Sequence, residues 1–159
     1  MIWAKNEFTL GRSDYQRQYE PILYGWKEGN THFWCGARDQ GDVWFVDRPQ
    51  VNDPHLTMKP VELVERAIGN SSKMRGTVLD PFGGSGTTVI ACEKTGRQAR
   101  VIELDACYVD VTVRRWEEFT GKQATLEGDE RSFAALKAAR GQMPAGILTS
   151  LLPTPPTVP

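Results

Sequence analysis

VLDPFGGSGTTVIACEKTGRQARVIELD, residues 78–105, is the stretch that decides the fold. An apolar run ends in Asp80-Pro81-Phe82, and Gly83, Gly84 and Gly86 follow at once. From about Ser85 to Thr95 the chain reads as a helix, stopped by Gly96. Residues 99–105 then read as a second strand with no polar alternation, as in a sheet covered on both faces. Strand, glycine turn, helix, strand is a βαβ order, which implies parallel strands joined by a right-handed crossover. Ligands of open α/β sheets bind at the carboxyl ends of the strands. Glycines there allow tight backbone geometry and close approach of a ligand. Glu103 closes the second strand 17 residues after Gly86, which places a carboxylate beside the turn. A carboxylate in that place can accept both hydroxyls of a ribose.

The flanking sequence extends the pattern. PVELVERAIGNSS, residues 60–72, carries Val61, Val64, Ala67 and Ile68 at amphipathic helix spacing. Pro60 suits its first helical position, and Gly69 and Asn70 its stop. Upstream, residues 19–27 and 42–48 are rich in β-branched and aromatic residues and read as strands, paired as a hairpin with a long connection. RPQVNDPH, residues 48–55, is a loop. Downstream, YVDVTVRRWEEFTG (108–121) has apolar residues at 109, 111, 113, 116 and 119, compatible with a helix. The charged segment 127–140 predicts one more. Residues 1–140 therefore form the expected domain, and the Pro- and Thr-rich residues 141–159 a flexible tail.

A length of 159 residues is about one domain. A net charge of −1 gives no global basic field, so any nucleic-acid contact needs a local patch. No apolar run approaches the roughly 20 residues of a membrane helix, and MIWAKNEFTLGR has no signal-peptide layout. The three cysteines, Cys35, Cys92 and Cys107, have no CxxC spacing. They argue against a disulfide framework and a zinc site, and for a reducing, cytoplasmic location.

Three ligand classes compete for the turn. A phosphate-binding P-loop needs a lysine after its last glycine, but Thr87 and Thr88 stand there. A dinucleotide site needs GxGxxG, and GGSGTT has no third glycine at that spacing. A nucleoside without a pyrophosphate, such as S-adenosylmethionine, needs only the tight turn and the ribose acid.

DPFGGSGTT, preceded by HLTMKP, resembles the DNA amino-methyltransferases that methylate N6 of adenine or N4 of cytosine. The resemblance covers most of residues 1–125 and is closest to the subgroup whose cofactor-binding half follows the catalytic half. It implies a partial Rossmann-like methyltransferase fold of the α/β class, a mixed sheet with a parallel βαβ cofactor-binding half. It also implies S-adenosylmethionine held by an FxGxG turn, here Phe82, Gly84 and Gly86, with Thr87, Thr88 and Leu104 beside it. By the same resemblance Asp80 lies near the amino-acid end of the cofactor and Glu103 binds the ribose. Thr57 and Lys59 contact the methionine moiety. The usual element before the turn is His-Pro-Thr-x-Lys-Pro, and Leu56 departs from its proline. Ala106 departs from the family's Glu-x-Asp-Pro-x-Tyr. Neither change removes a group that contacts the cofactor.

One family motif is absent from these 159 residues. Methylating an exocyclic amine requires a polar acceptor and a stacking aromatic around a flipped base, which the family supplies as [DNS]-Pro-Pro-aromatic. Pro-Pro occurs only at 155–156, inside Thr154-Pro-Pro-Thr157. No catalytic residue is therefore assigned. The expectation is a cofactor-binding half, inactive by itself, that acts on DNA with a second chain carrying the catalytic half; a homodimer is the other assembly considered. Arg12, Arg17, Lys27 and Arg38, with Tyr15 and Trp26, fall where such enzymes approach the duplex, although solvated charges and core aromatics explain most of them. The competing readings are a non-catalytic remnant that keeps the fold, and a nicotinamide-dependent oxidoreductase, which the missing third glycine disfavours.

Overall fold

The computed structural model describes residues 1–49 and 58–141. Its elements run β1 (Ile2–Ala4), β2 (Tyr19–Pro21), β3 (Val43–Phe45), α1 (Val61–Ser71), β4 (Thr77–Asp80), α2 (Thr87–Thr95), β5 (Gln98–Val101), α3 (Ala106–Thr120) and α4 (Phe133–Gly141). Strands β4 and β5 are parallel, with Asp80 level with Val101, as the βαβ reading requires. The expected α/β architecture is present.

The first three strands form a separate sheet of order β2-β1-β3. They do not form the hairpin read from residues 19–27 and 42–48. Instead β1 lies between them, antiparallel to β2 and parallel to β3. This register sets Trp3 opposite Glu20 on one side and Trp44 on the other. Both indoles are buried, with Val46 and Leu63 against them. Trp3 Nε1 donates to the Val46 carbonyl at 2.7 Å, so the buried ring is also hydrogen-bonded. Burying each indole contributes on the order of 4 kcal/mol. The strand expected over 19–27 stops at Pro21. Beyond it Tyr24 packs edge-on against Trp26 and Trp34, and Trp26 stacks on His32 with centroids 4.5 Å apart.

Helix α1 joins the two sheets. Leu63 and Ala67 pack on the tryptophan cluster, while Ile68, Val61 and Val64 pack with Ala91, Cys92, Val78 and Ala99. Pro60 is the N-cap rather than the first helical residue. The helix also runs past Gly69 and Asn70. Asn70 is buried there, and its side-chain amide exchanges two 2.9 Å hydrogen bonds with Gln40. A tertiary partner thus overrides the local stop signal.

Strand β5 ends at Val101, not at Asp105, and it alternates exposed and half-buried residues. The expected two-sided cover is absent among the described residues. Val78 and Ala99 face the helices, whereas Leu79 is 66% and Ile102 61% exposed. Helix α2 starts at Thr87 with Gly86 as its left-handed N-cap, two residues later than read. Helix α3 starts two residues earlier than read, because the Asp105 carboxylate caps it, accepting from Cys107 N at 2.8 Å. The expected tail lies outside the described residues, Gly141 excepted. Among the described residues no helix is long and apolar enough to cross a membrane.

Candidate cofactor site

The glycine turn begins with a carboxylate that folds back on it. Asp80, the last residue of β4, accepts Phe82 N on Oδ1 at 3.0 Å and Thr88 Oγ1 on Oδ2 at 2.6 Å. Ile102 N donates to the Asp80 carbonyl and Gly83 N to the Ile102 carbonyl, both at 2.9 Å. The chain leaving β5 is therefore tied to the turn leaving β4.

The three glycines do different work. A Cβ at Gly83 would lie 2.2 Å from Val101 Cγ1, and one at Gly86 2.5 Å from Thr112 Cγ2. Those two positions let neighbouring elements approach. Gly84 has φ of 54°, and a Cβ there would meet nothing within 4 Å. It lines a cavity of about 430 Å³. A small-molecule site commonly measures about 300–1,000 Å³. Its wall includes Lys59, Asp80, Phe82, Thr87, Thr88 and Glu103.

Glu103 closes this wall. Its Oε2 accepts Gly84 N at 2.6 Å and its Oε1 accepts Asp105 N at 2.9 Å. The Asp105 amide first, and the Gly84 amide second, hold its carboxyl below the usual carboxylate value, so it is ionised at neutral pH. An ionised carboxylate has about four acceptor sites. The Gly84 and Asp105 amides engage one oxygen each, with the Leu104 amide also against the group, and the remaining capacity is open to hydroxyl donors. The turn, the open face at Gly84 and this carboxylate fit the ribose of a nucleoside.

The residues read from the sequence divide into groups. Lys59, Asp80, Phe82, Gly84, Thr87, Thr88 and Glu103 come together on the cavity wall. Thr87 and Thr88 are buried, and their hydroxyls donate to the Lys59 carbonyl (3.2 Å) and to Asp80; they brace the turn. Gly86 caps α2 behind the wall. Leu104 is fully exposed and is not among the lining residues. Thr57 lies outside the described residues. Arg12, Arg17, Lys27 and Arg38 are all exposed, as are Tyr15 and Trp26.

Sequence reasoning missed several contributors. Tyr108 and Met58 line the cavity. Thr112 Oγ1 donates to the Gly84 carbonyl at 3.1 Å, and Arg115 Nη1 to the Ser85 carbonyl at 2.6 Å. These last two stand one turn apart on α3, a spacing that would have flagged them had that helix been placed against the turn. A second cavity, about 550 Å³, lies between α3 and α4 with Val113, Leu126, Phe133 and Leu136 in its wall. It is the larger and more apolar, but it lacks the convergence of strand ends, turn amides and carboxylates that a polar nucleoside needs.

Comparison with known proteins agrees with this geometry. Residues 1–114 match the model of the DNA methylase family of N6 and N4 methyltransferases. Over 104 residues the chain is 35% identical to the type II methyltransferase M.Cfr9I of Citrobacter freundii, covering 65% of this chain and 31% of that protein. Over 127 residues it is 38% identical to M.XycI of Xanthomonas campestris pv. cyanopsidis, covering 72% of this chain and 42% of that protein. The chain thus spans less than half the length of these relatives. Among solved structures, the M1.HpyAVI–SAM complex superposes with a TM-score of 0.64 at 26% identity, over 72% of this chain and 59% of that one. A putative DNA modification methylase from Thermus thermophilus superposes with a TM-score of 0.54 at 27% identity, over 76% and 52%. With the family match covering most of its length and the turn–carboxylate geometry in place, the chain belongs to the N6/N4 DNA methylase family.

Proposed function

We propose that residues 1–140 are the S-adenosylmethionine-binding part of a DNA amino-methyltransferase that acts on N6 of adenine or N4 of cytosine. The observation that carries this reading is the Glu103 carboxylate, tied to Gly84 N at the ends of two parallel strands. The bound cofactor supplies an electrophilic methyl group on a sulfonium. The chain's own residues bind and orient it. Glu103 accepts the ribose hydroxyls, Gly84 lets the ligand approach the backbone, and Phe82, 87% exposed at the cavity wall, gives an aromatic face to the adenosine. Asp80 and Lys59, of opposite charge, serve the ammonium and carboxylate of the amino-acid end. The acceptor and stacking groups for the target base come from polypeptide outside these 159 residues.

The test is titration with S-adenosylhomocysteine. Glu103→Ala is expected to weaken binding by about tenfold or more, since two ribose hydroxyls lose their acceptor. Glu103→Gln, which keeps one acceptor oxygen, should lose less. Wild-type affinity in Glu103→Ala would remove the basis of the reading.

A further inference from the structure

Glu20 has no role in the sequence reading, yet the fold pairs it with Lys59, which lines the cavity beside Gly84. Strand geometry explains how. Side chains two apart on a strand share a face, and directly paired residues share a face across strands. Trp3 and Lys5 therefore lie on one side of the sheet, and Glu20, the antiparallel partner of Trp3, joins them. Glu20 Oε1 pairs with Lys5 Nζ at 2.7 Å. Its other oxygen, Oε2, accepts from Lys59 Nζ. Both ammonium groups also sit by the Trp3 ring, at 5.0 Å for Lys5 and 5.4 Å for Lys59. The ring itself is buried and hydrogen-bonded to Val46, so it is a fixed platform.

Lys59 thus has a side chain whose position is set from the first sheet while it lines the cavity of the second. Without Glu20 its long stem would be free at the cavity mouth, since half of it is exposed. Burial raises the Glu20 carboxyl, but the hydrogen bonds from Lys5 and Lys59 more than offset it and hold the group below its usual value. The triad carries a net charge of +1, so an anion at the cavity still meets an attractive site.

We propose that Glu20 is a positioning residue that holds the Lys59 ammonium against Trp3, ready to receive the carboxylate of the cofactor's amino-acid end. This rests on the cofactor reading above. Immobilising a long side chain on binding costs roughly three- to tenfold in affinity. Glu20 removes that cost before the ligand arrives.

The experiment compares S-adenosylhomocysteine, which has the carboxylate, with methylthioadenosine, which lacks the amino-acid end. In Glu20→Gln, S-adenosylhomocysteine affinity is expected to fall roughly three- to tenfold while methylthioadenosine affinity stays at the wild-type value. Glu20→Asp should recover part of the loss. In a Lys59→Met background, Glu20→Gln should have no further effect. Equal weakening of both ligands would mark Glu20 as merely structural and overturn the inference, as would unchanged S-adenosylhomocysteine binding or a loss that persists without Lys59. If neither ligand binds the wild-type chain, the cofactor reading falls, and the inference with it.

Discussion

The 159-residue chain, given S-adenosylmethionine and mixed-sequence DNA, is expected to transfer methyl groups at least about 10⁴-fold more slowly than when a complementary catalytic half is supplied. The reason is one-sided alignment. On the proposed reading the turn, Glu103 and Lys59 orient the methyl donor, but a flipped base also needs a polar acceptor and a stacking partner. Asp53 and Asp80 are each followed by a single proline, and the only Pro-Pro pair stands between threonines. Orienting both reactants is worth on the order of 7–11 kcal/mol in favourable cases, so losing one side removes most of the rate. A labelled methyl group, counted on DNA with and without that half added in trans, measures the difference. Robust transfer by the chain alone would show that a residue assigned to the core or surface supplies the acceptor.

Gly86→Val is expected to lower the melting temperature by roughly 10 °C and to abolish measurable cofactor binding. Gly86 has φ of 81° and ψ of 24°, a left-handed conformation that costs a non-glycine residue about 1–2 kcal/mol. The added Cβ would also stand 2.5 Å from Thr112 Cγ2 and 2.7 Å from its Oγ1. Relief requires α3 to move away from the turn, at about 1–3 kcal/mol of overpacking. The same movement breaks the Thr112 hydrogen bond to the Gly84 carbonyl. Gly84→Ala is the informative contrast. Its Cβ meets nothing within 4 Å, so it carries only the backbone penalty and projects a methyl group at the cavity wall. It should lose affinity while melting within a few degrees of wild type. A Gly86→Val chain that melts like wild type would show that the turn and α3 are not locked together.

The second half of the fold was legible because its signals are local. The apolar runs, the glycines and the acid after the second strand lie within 28 residues, and each constrains backbone or chemistry by itself. The helix starts moved where capping intervened, as at Asp105 and Gly86, and β5 stopped at Val101, four residues short of the sequence reading. The first half was not legible in the same way. Its strands are three residues long, too short for periodicity to declare a partner, so a hairpin was the natural reading. What pairs them is the burial of Trp3 with Trp44, a contact between distant residues. Glu20 was missed for the same reason: its meaning depends on lying opposite Trp3 and near Lys59, which only the assembled sheet reveals. Asn70 ran against its propensity because Gln40, 30 residues away, satisfies its amide.

The most direct measurement is calorimetric titration of the unmodified chain with S-adenosylhomocysteine and, separately, with NAD. Saturable binding of S-adenosylhomocysteine, with NAD binding much more weakly or not at all, is the expected result, because the turn has a carboxylate, proposed to take the ribose, but no third glycine for a pyrophosphate. Tighter binding of NAD, or no heat with S-adenosylhomocysteine at high protein concentration, would contradict the assignment of the cavity beside Gly84 and Glu103.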